Sequence, residues 1–189
     1  MSITVKIQTK GKKNPPEGTK VKITLIEKPQ TFAVELILPG QHEPRVFKPL
    51  FPKNGVLELP INLVFLSHAK EDSKFVKELS DKLFQDGVLT WFDEVDILPG
   101  DNWKLKTEEG IDISDYVIVF LSKNSVGKTG YIQKEITMVL DKYELMPEGK
   151  RYIIPFLLDD CTPPRKFKDI HWLNVENNQW YDQLIRAIT

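Results

Sequence analysis

The chain has 189 residues, of which 41% are apolar and 28% charged, ordinary proportions for a soluble globular protein. No apolar run approaches the roughly 20 residues that a bilayer-spanning helix needs, and the N-terminus, Met-Ser-Ile-Thr-Val-Lys, has no apolar stretch behind a basic start. With Cys161 as the single cysteine and a net charge of only −1, the expectation is a cytosolic protein without an intrachain disulfide.

The charge is unevenly distributed. Residues 1–60 contain ten Lys and Arg against five Glu and no Asp, a balance of +5, whereas residues 61–189 carry −6. Eight of the thirteen prolines also fall in the first 60 residues. A change of charge sign and proline density at one place marks a domain boundary at Pro60–Asn62, dividing the chain into 1–60 and 61–189.

In the first unit, Ile3–Ile7 and Val21–Leu25 alternate apolar and polar residues, and Phe32–Leu38 and Gly55–Leu59 are also β-like. Asn14-Pro-Pro-Glu-Gly18, Glu27-Lys-Pro29 and Pro39-Gly40 supply turns between them. A small antiparallel β-unit of four or five strands is expected, near the lower size limit for independent folding. Such a unit leans on the second domain or on a copy of itself. Its lysines are scattered with no interleaved aromatic platform, so nucleic acid is not an expected partner, and its residues assign it no role.

The second unit opens with Asn62-Leu-Val-Phe-Leu-Ser67, a continuous apolar run of the kind that forms a strand buried on both faces of a parallel sheet. A crossover from Ser67 to Asp72 leads to a helix with Phe75, Val76, Leu79, Leu83 and Phe84 on one face and Gly87 as its stop. Val88–Phe92 is the second strand. A long loop, Asp93–Asn102, carries Pro99-Gly100, and a short helix from Trp103 leads to the third strand, Tyr116–Leu121. Gly130 to about Leu145 is the longest helix, Tyr152–Leu158 a fourth strand, the stretch around His171-Trp172-Leu173 a short fifth, and Gln179–Ile188 a closing helix. This alternation implies right-handed crossovers and an α/β domain: a flavodoxin-like five-stranded parallel sheet with helices on both faces. Ligands of such sheets bind at the C-terminal strand ends, here Ser67-His68, Phe92-Asp93, Ser122 and Asp159.

Several α/β chemistries are excluded. No Gly-rich turn follows the first strand, so neither a dinucleotide fingerprint nor a P-loop is present. A phosphoacceptor receiver would need an Asp ending the third strand, where this chain has Leu121-Ser122. His42, His68 and His171 are too dispersed for a metal site, and Cys161 has no ligand-like neighbours.

On the longest helix, Ile132, Ile136, Val139, Leu140 and Tyr143 form the core stripe. Glu135 lies at the edge of that stripe beside Met138 and Tyr131, its i−4 neighbour. A carboxylate at such a rim is half desolvated, which suits a group that faces developing positive charge. The competing reading, which the residue pattern alone favours, is a solvated Glu near a helix N-terminus, stabilised by the dipole.

Phe65-Leu-Ser-His-Ala-Lys-Glu-Asp72, Phe92-Asp-Glu-Val-Asp-Ile-Leu-Pro-Gly-Asp-Asn-Trp103 and His171-Trp172 resemble the three boxes of the TIR (Toll/interleukin-1 receptor) family. Leu121-Ser-Lys-Asn-Ser-Val-Gly-Lys-Thr-Gly-Tyr-Ile-Gln-Lys-Glu135 is similar to the strand-to-helix pattern of prokaryotic members, which ends in aromatic-x-x-x-Glu. The resemblance covers about 125 residues, with the four stretches in the family's order. Tyr131 stands where many members carry Trp, and His68 where many carry Tyr; both keep a flat ring.

The resemblance implies an enzyme of the NADase type, with NAD+ as substrate and no cofactor or metal. Glu135 would engage the nicotinamide-side ribose and stabilise an oxocarbenium-like state as nicotinamide leaves, the expected use of a carboxylate beside an anomeric carbon. Ser67, His68 and Lys70 would contact ribose or phosphates, with Lys70 the phosphate partner. Trp91 and Tyr131 would bind the substrate, Trp91 by stacking on a ring unless it serves only the core. Pro99, Gly100, Asp101 and Trp103 belong to the loop that mediates TIR–TIR contacts. The implied function is an NAD+ glycohydrolase or ADP-ribosyl cyclase in prokaryotic antiphage or cell-suicide immunity, partnered by its own copies and by an effector or sensor protein, and not by a membrane. The alternative is a non-enzymatic TIR adaptor that signals by homotypic association. An aromatic residue four positions before Glu135 favours the enzyme.

Overall fold

The computed structural model describes residues 6–9, 20–27, 31–37, 45–50, 56–59, 62–92, 97, 99–127 and 131–188. The chain divides into two units, Met1–Ile61 with Glu94–Asp101, and Asn62–Asp93 with Asn102–Thr189.

In the first unit, β2 (Lys20–Glu27), β3 (Thr31–Ile37) and β4 (Arg45–Leu50) form an antiparallel sheet in that order, flanked in sequence by β1 (Lys6–Thr9) and β5 (Val56–Leu59). Lys22 lies opposite Glu35 in the register, and its ammonium reaches the carboxylate at 3.2 Å, a cross-strand pair of opposite charge. The outer strands depart from a purely antiparallel unit: β1 and β5 pair in parallel. Parallel neighbours need a long connection rather than a hairpin, and the three-stranded meander supplies it.

In the second unit, β6 (Leu63–Ser67), β7 (Leu89–Trp91), β8 (Tyr116–Leu121), β9 (Ile153–Leu157) and β10 (Leu173–Asn174) form a five-stranded sheet in the order β10-β9-β8-β6-β7, with every pairing parallel. Five helices accompany them among the described residues: α1 (Ser73–Gln85), α2 (Trp103–Ile113), α3 (Lys123–Val126), α4 (Tyr131–Glu144) and α5 (Trp180–Ile188). The sequence expectation holds apart from the one-turn helix α3, too short to show a period.

Strand alternation sends β6 side chains to two cores. Val64 and Leu66 join Ile118, Phe120, Ile154 and Phe156 against Val76, Leu79 and Leu83 of α1 and Leu184 and Ile188 of α5. Each aliphatic side chain buried in this way contributes about 1.5–3 kcal/mol relative to exposure. Phe65 and Ser67 point to the opposite face, where α2 and α4 pack on β6. Gly87 ends the α1 turn with φ 81°, a conformation that a side chain disfavours. Asn102 caps α2 by accepting from the backbone N–H of Lys104 and Leu105 at 3.1 and 3.3 Å. At the other end of α2, Lys142 Nζ and Tyr152 OH both donate to the Ile111 carbonyl, at 2.6 and 3.0 Å.

Pro155 sits in the middle of β9, where a missing N–H ordinarily breaks a ladder. Here Tyr152 and Leu158 bond toward β8, and Leu157 accepts from Val175 on the other side. Pro155 therefore turns its donor-less nitrogen to the β10 side, below the point where β10 begins pairing at Phe156.

Candidate active site

The strand order reverses between β6 and β8, so the crossovers after these strands diverge to opposite faces, and the C-terminal end of β6 opens at the gap between them. Ser67 ends β6 at this point. Its Oγ donates to Oε2 of Glu135 on α4 at 2.6 Å, a distance typical of a hydroxyl donating to a carboxylate. Ser67 is 0% and Glu135 2% exposed.

This burial corrects the sequence picture of Glu135 as a half-desolvated rim residue. A helical wheel counts neighbours on one helix only, and the enclosure comes from the end of β6, 68 residues earlier. A buried carboxylate is costly without hydrogen bonds, and Ser67 supplies one from a position no helical period reveals.

The other expected site residues occupy distinct places. His68 is buried, its Nδ1 3.3 Å from the Leu66 carbonyl and its Nε2 3.2 Å from Ser73 Oγ, with its ring in a T-shaped contact with Phe92. Lys70 is exposed on the 3-10 turn Lys70–Asp72. Trp91 is 1% exposed and stacked on Phe65, ring centroids 4.8 Å apart, so packing is the role its surroundings show. Tyr131 begins α4, and its side chain lies outside the described residues. In the loop, Pro99 and Gly100 are exposed, Asp101 half-buried, and Asp93–Asp96 and Leu98 lie outside the described residues. Trp103 begins α2, with the Lys134 ammonium of α4 5.6 Å from its ring. His171 and Trp172 are exposed.

Asp72 and Asp159, legible in the sequence only as the end of the first crossover and of the fourth strand, bridge the strand ends. Asp72 accepts from Ser122 Oγ at 2.6 Å and from Asn124 Nδ2 at 3.2 Å. Asp159 accepts from the backbone N–H of Lys123 and of Cys161, both at 2.9 Å. Lys123 also pairs with Asp160, which raises the ammonium and lowers the carboxyl from their ordinary values. Burial, followed by the Asp159 hydrogen bond, pushes the Cys161 thiol up to about 11. The available signal was Asp72 closing the first box and Asp159 following the fourth strand.

Among the described residues no group of three His, Cys, Asp or Glu is placed to hold a metal ion, and no helix is long and apolar enough to cross a membrane. An open depression of about 480 Å³ lies between Trp103 and Lys104 of α2 and Gln133, Lys134, Thr137 and Met138 of α4.

A family model described as the TIR domain matches residues 64–188. The chain belongs to the TIR-domain family. The NAD(+) hydrolase TcpA of Theionarchaea archaeon is 41% identical over 93 residues, 49% of this chain and 27% of that protein. The 2' cyclic ADP-D-ribose synthase AbTIR of Acinetobacter baumannii is 39% identical over 83 residues, 43% of this chain and 27% of that protein. The matches therefore span about a quarter of the length of these relatives. The solved TIR domain of the Toll-related receptor TRR-2 of Hydra magnipapillata superposes with a TM-score of 0.57 at 24% identity, over 66% of this chain and 96% of that one, which shows the shared fold. Within this TIR domain, the buried Ser67–Glu135 pair sets an acceptor carboxylate beside the switch point of the sheet, a place suited to a ligand with developing positive charge.

Proposed function

We propose that this TIR domain cleaves the nicotinamide–ribose bond of NAD+, as a glycohydrolase or ADP-ribosyl cyclase. The observation that carries the reading is the Ser67–Glu135 hydrogen bond at the sheet's switch point, in a chain similar to proteins named NAD(+) hydrolase and 2' cyclic ADP-D-ribose synthase. As the C1′–N bond breaks, its electron pair leaves with neutral nicotinamide and positive charge grows on the ribose. A carboxylate about 4 Å from that charge contributes about 4 kcal/mol at an effective protein dielectric of about 20. Ser67 orients the Glu135 carboxylate by holding Oε2. Water at C1′ then gives ADP-ribose and a proton, whereas a hydroxyl within the substrate gives a cyclic isomer. NAD+ enters as substrate, and the chemistry calls for no metal or cofactor.

Lys70, exposed beside this strand end, is the cation for a substrate phosphate. The biological setting we infer is intracellular prokaryotic immunity, with activity switched by association of TIR copies and by an effector or sensor protein. The test is to incubate the purified protein with NAD+ and resolve the products by chromatography. Release of nicotinamide by the wild type and its loss in a folded Glu135→Gln variant are expected. An inactive wild type over a wide range of protein concentration would leave the non-enzymatic adaptor as the function.

A further inference from the structure

We propose that Asp72 is a positioning residue for Glu135, acting across the strand ends through α3 and Gln133; the inference rests on the NAD+-cleaving reading of the Ser67–Glu135 pair. Asp72 occupies the N-cap position of α1, where an Asp ordinarily accepts from its own helix. Its side chain makes no cap hydrogen bond there. Both carboxylate oxygens instead reach the crossover after β8, taking Ser122 Oγ and Asn124 Nδ2. The crossovers from β6 and β8 diverge to opposite faces of the sheet, so side chains must supply the link at this level.

The element they hold, α3, is four residues long and has negligible helical stability of its own. Its place is set by its anchors. Ser122 and Ser125 close a reciprocal capping box, Asp72 holds one side, and Asp159 holds the Lys123 N–H on the other. From α3 the connection passes to the catalytic helix: Gln133 Nε2 donates to the Ser125 carbonyl at 3.3 Å, and Gln133 Oε1 accepts from Lys166 at 3.3 Å. Gln133 lies two residues before Glu135 on the first turn of α4. Asp72, Ser122, Ser125 and Gln133 thus form one path from the start of α1 to the turn that carries the carboxylate.

The test combines kinetics with residue-resolved amide exchange on the intact chain. Asp72→Ala is expected to lower kcat for nicotinamide release about tenfold or more while KM stays within about twofold, as misplacement of a reacting group does. Exchange should quicken at 122–126 and at the hydrogen-bonded amides 135–139, and stay unchanged in β9 and α5. Asp72→Asn, which keeps one acceptor oxygen, should recover part of kcat. Gln133→Ala should reproduce the effect from the other end, and the double variant should be no slower than the worse single one, because both cut the same path. Losses that multiply, a change in KM alone, or quickened exchange confined to 122–126 with kcat intact would overturn the proposal. If Asp72→Ala fails to fold, Asn124→Ala and Gln133→Ala carry the same comparison. If the wild type releases no nicotinamide, the functional reading fails, and exchange at 135–139 alone decides the mechanical link: faster in the variants supports it, unchanged sinks it.

Discussion

Gly110 of α2 lies against the indole of Trp91 so closely that a Cβ added to it would sit 2.6 Å from the ring carbons Cδ2 and Cε2. The contact presses the indole onto Phe65 and makes the base of the α2–α4 face a layer of flat rings with a bare backbone on top. Two opposing effects decide a substitution here. Alanine gains about 1 kcal/mol of helix propensity over glycine. Forcing a methyl into a packed core costs about 1–3 kcal/mol, and a 2.6 Å approach to a fused ring lies at the severe end of that range. Gly110→Ala should therefore lower the denaturant midpoint without changing the slope. An unchanged midpoint would mean that the indole has room to turn, and would return Trp91 to the substrate-stacking role.

Replacing Glu135 separates structure from chemistry. Because Glu135 is enclosed, Glu135→Ala leaves the Ser67 hydroxyl without its acceptor, and such losses cost about 1–3 kcal/mol. Glu135→Gln keeps an acceptor oxygen at nearly the same volume and should cost less. The expected pattern is a clear drop in Tm for the alanine variant, a small one for the glutamine variant, and no nicotinamide release from either. Turnover by Glu135→Gln at the wild-type rate would contradict a role for the negative charge.

Cys161 should be a slow nucleophile. Only the thiolate reacts, and burial with the Asp159 hydrogen bond holds the thiol protonated up to about 11. Alkylation by iodoacetamide should be slower than for a free cysteine at pH 8 and rise about tenfold per pH unit toward pH 11, following the thiolate fraction. Peptide-like rates at pH 8 would show that the Asp159 contact opens in solution.

The loop gives a concentration test. If TIR copies associate to form the competent state, specific activity should rise with protein concentration by mass action. Gly100 has φ 98° with open space around it, so Gly100→Ala strains the loop backbone without a clash and should cost about 1–2 kcal/mol of stability. It should depress activity most at low concentration while Tm falls by only a few degrees. A flat dilution profile measured for the wild type would mean that the monomer is already competent.

What the sequence by itself determined is the sheet and its direction. The apolar runs 62–67, 116–121 and 152–158 read as strands, the first as one buried on both faces, and the helices between them carried periods long enough to recognise, because both signals are local and repeat within a few residues. The first box and the Tyr131–Glu135 spacing also singled out the strand end and the helix that the Ser67–Glu135 hydrogen bond joins. Only the tertiary structure decided that Glu135 is closed in by Ser67, that Trp91 lies under Gly110, and that Asp72 spends its carboxylate on Ser122 and Asn124 instead of its own helix. Each of these contacts joins residues 19 to 68 positions apart. No helical or strand period extends that far, and the partner of a buried polar group is set by where the crossovers return, which the chain settles only on folding.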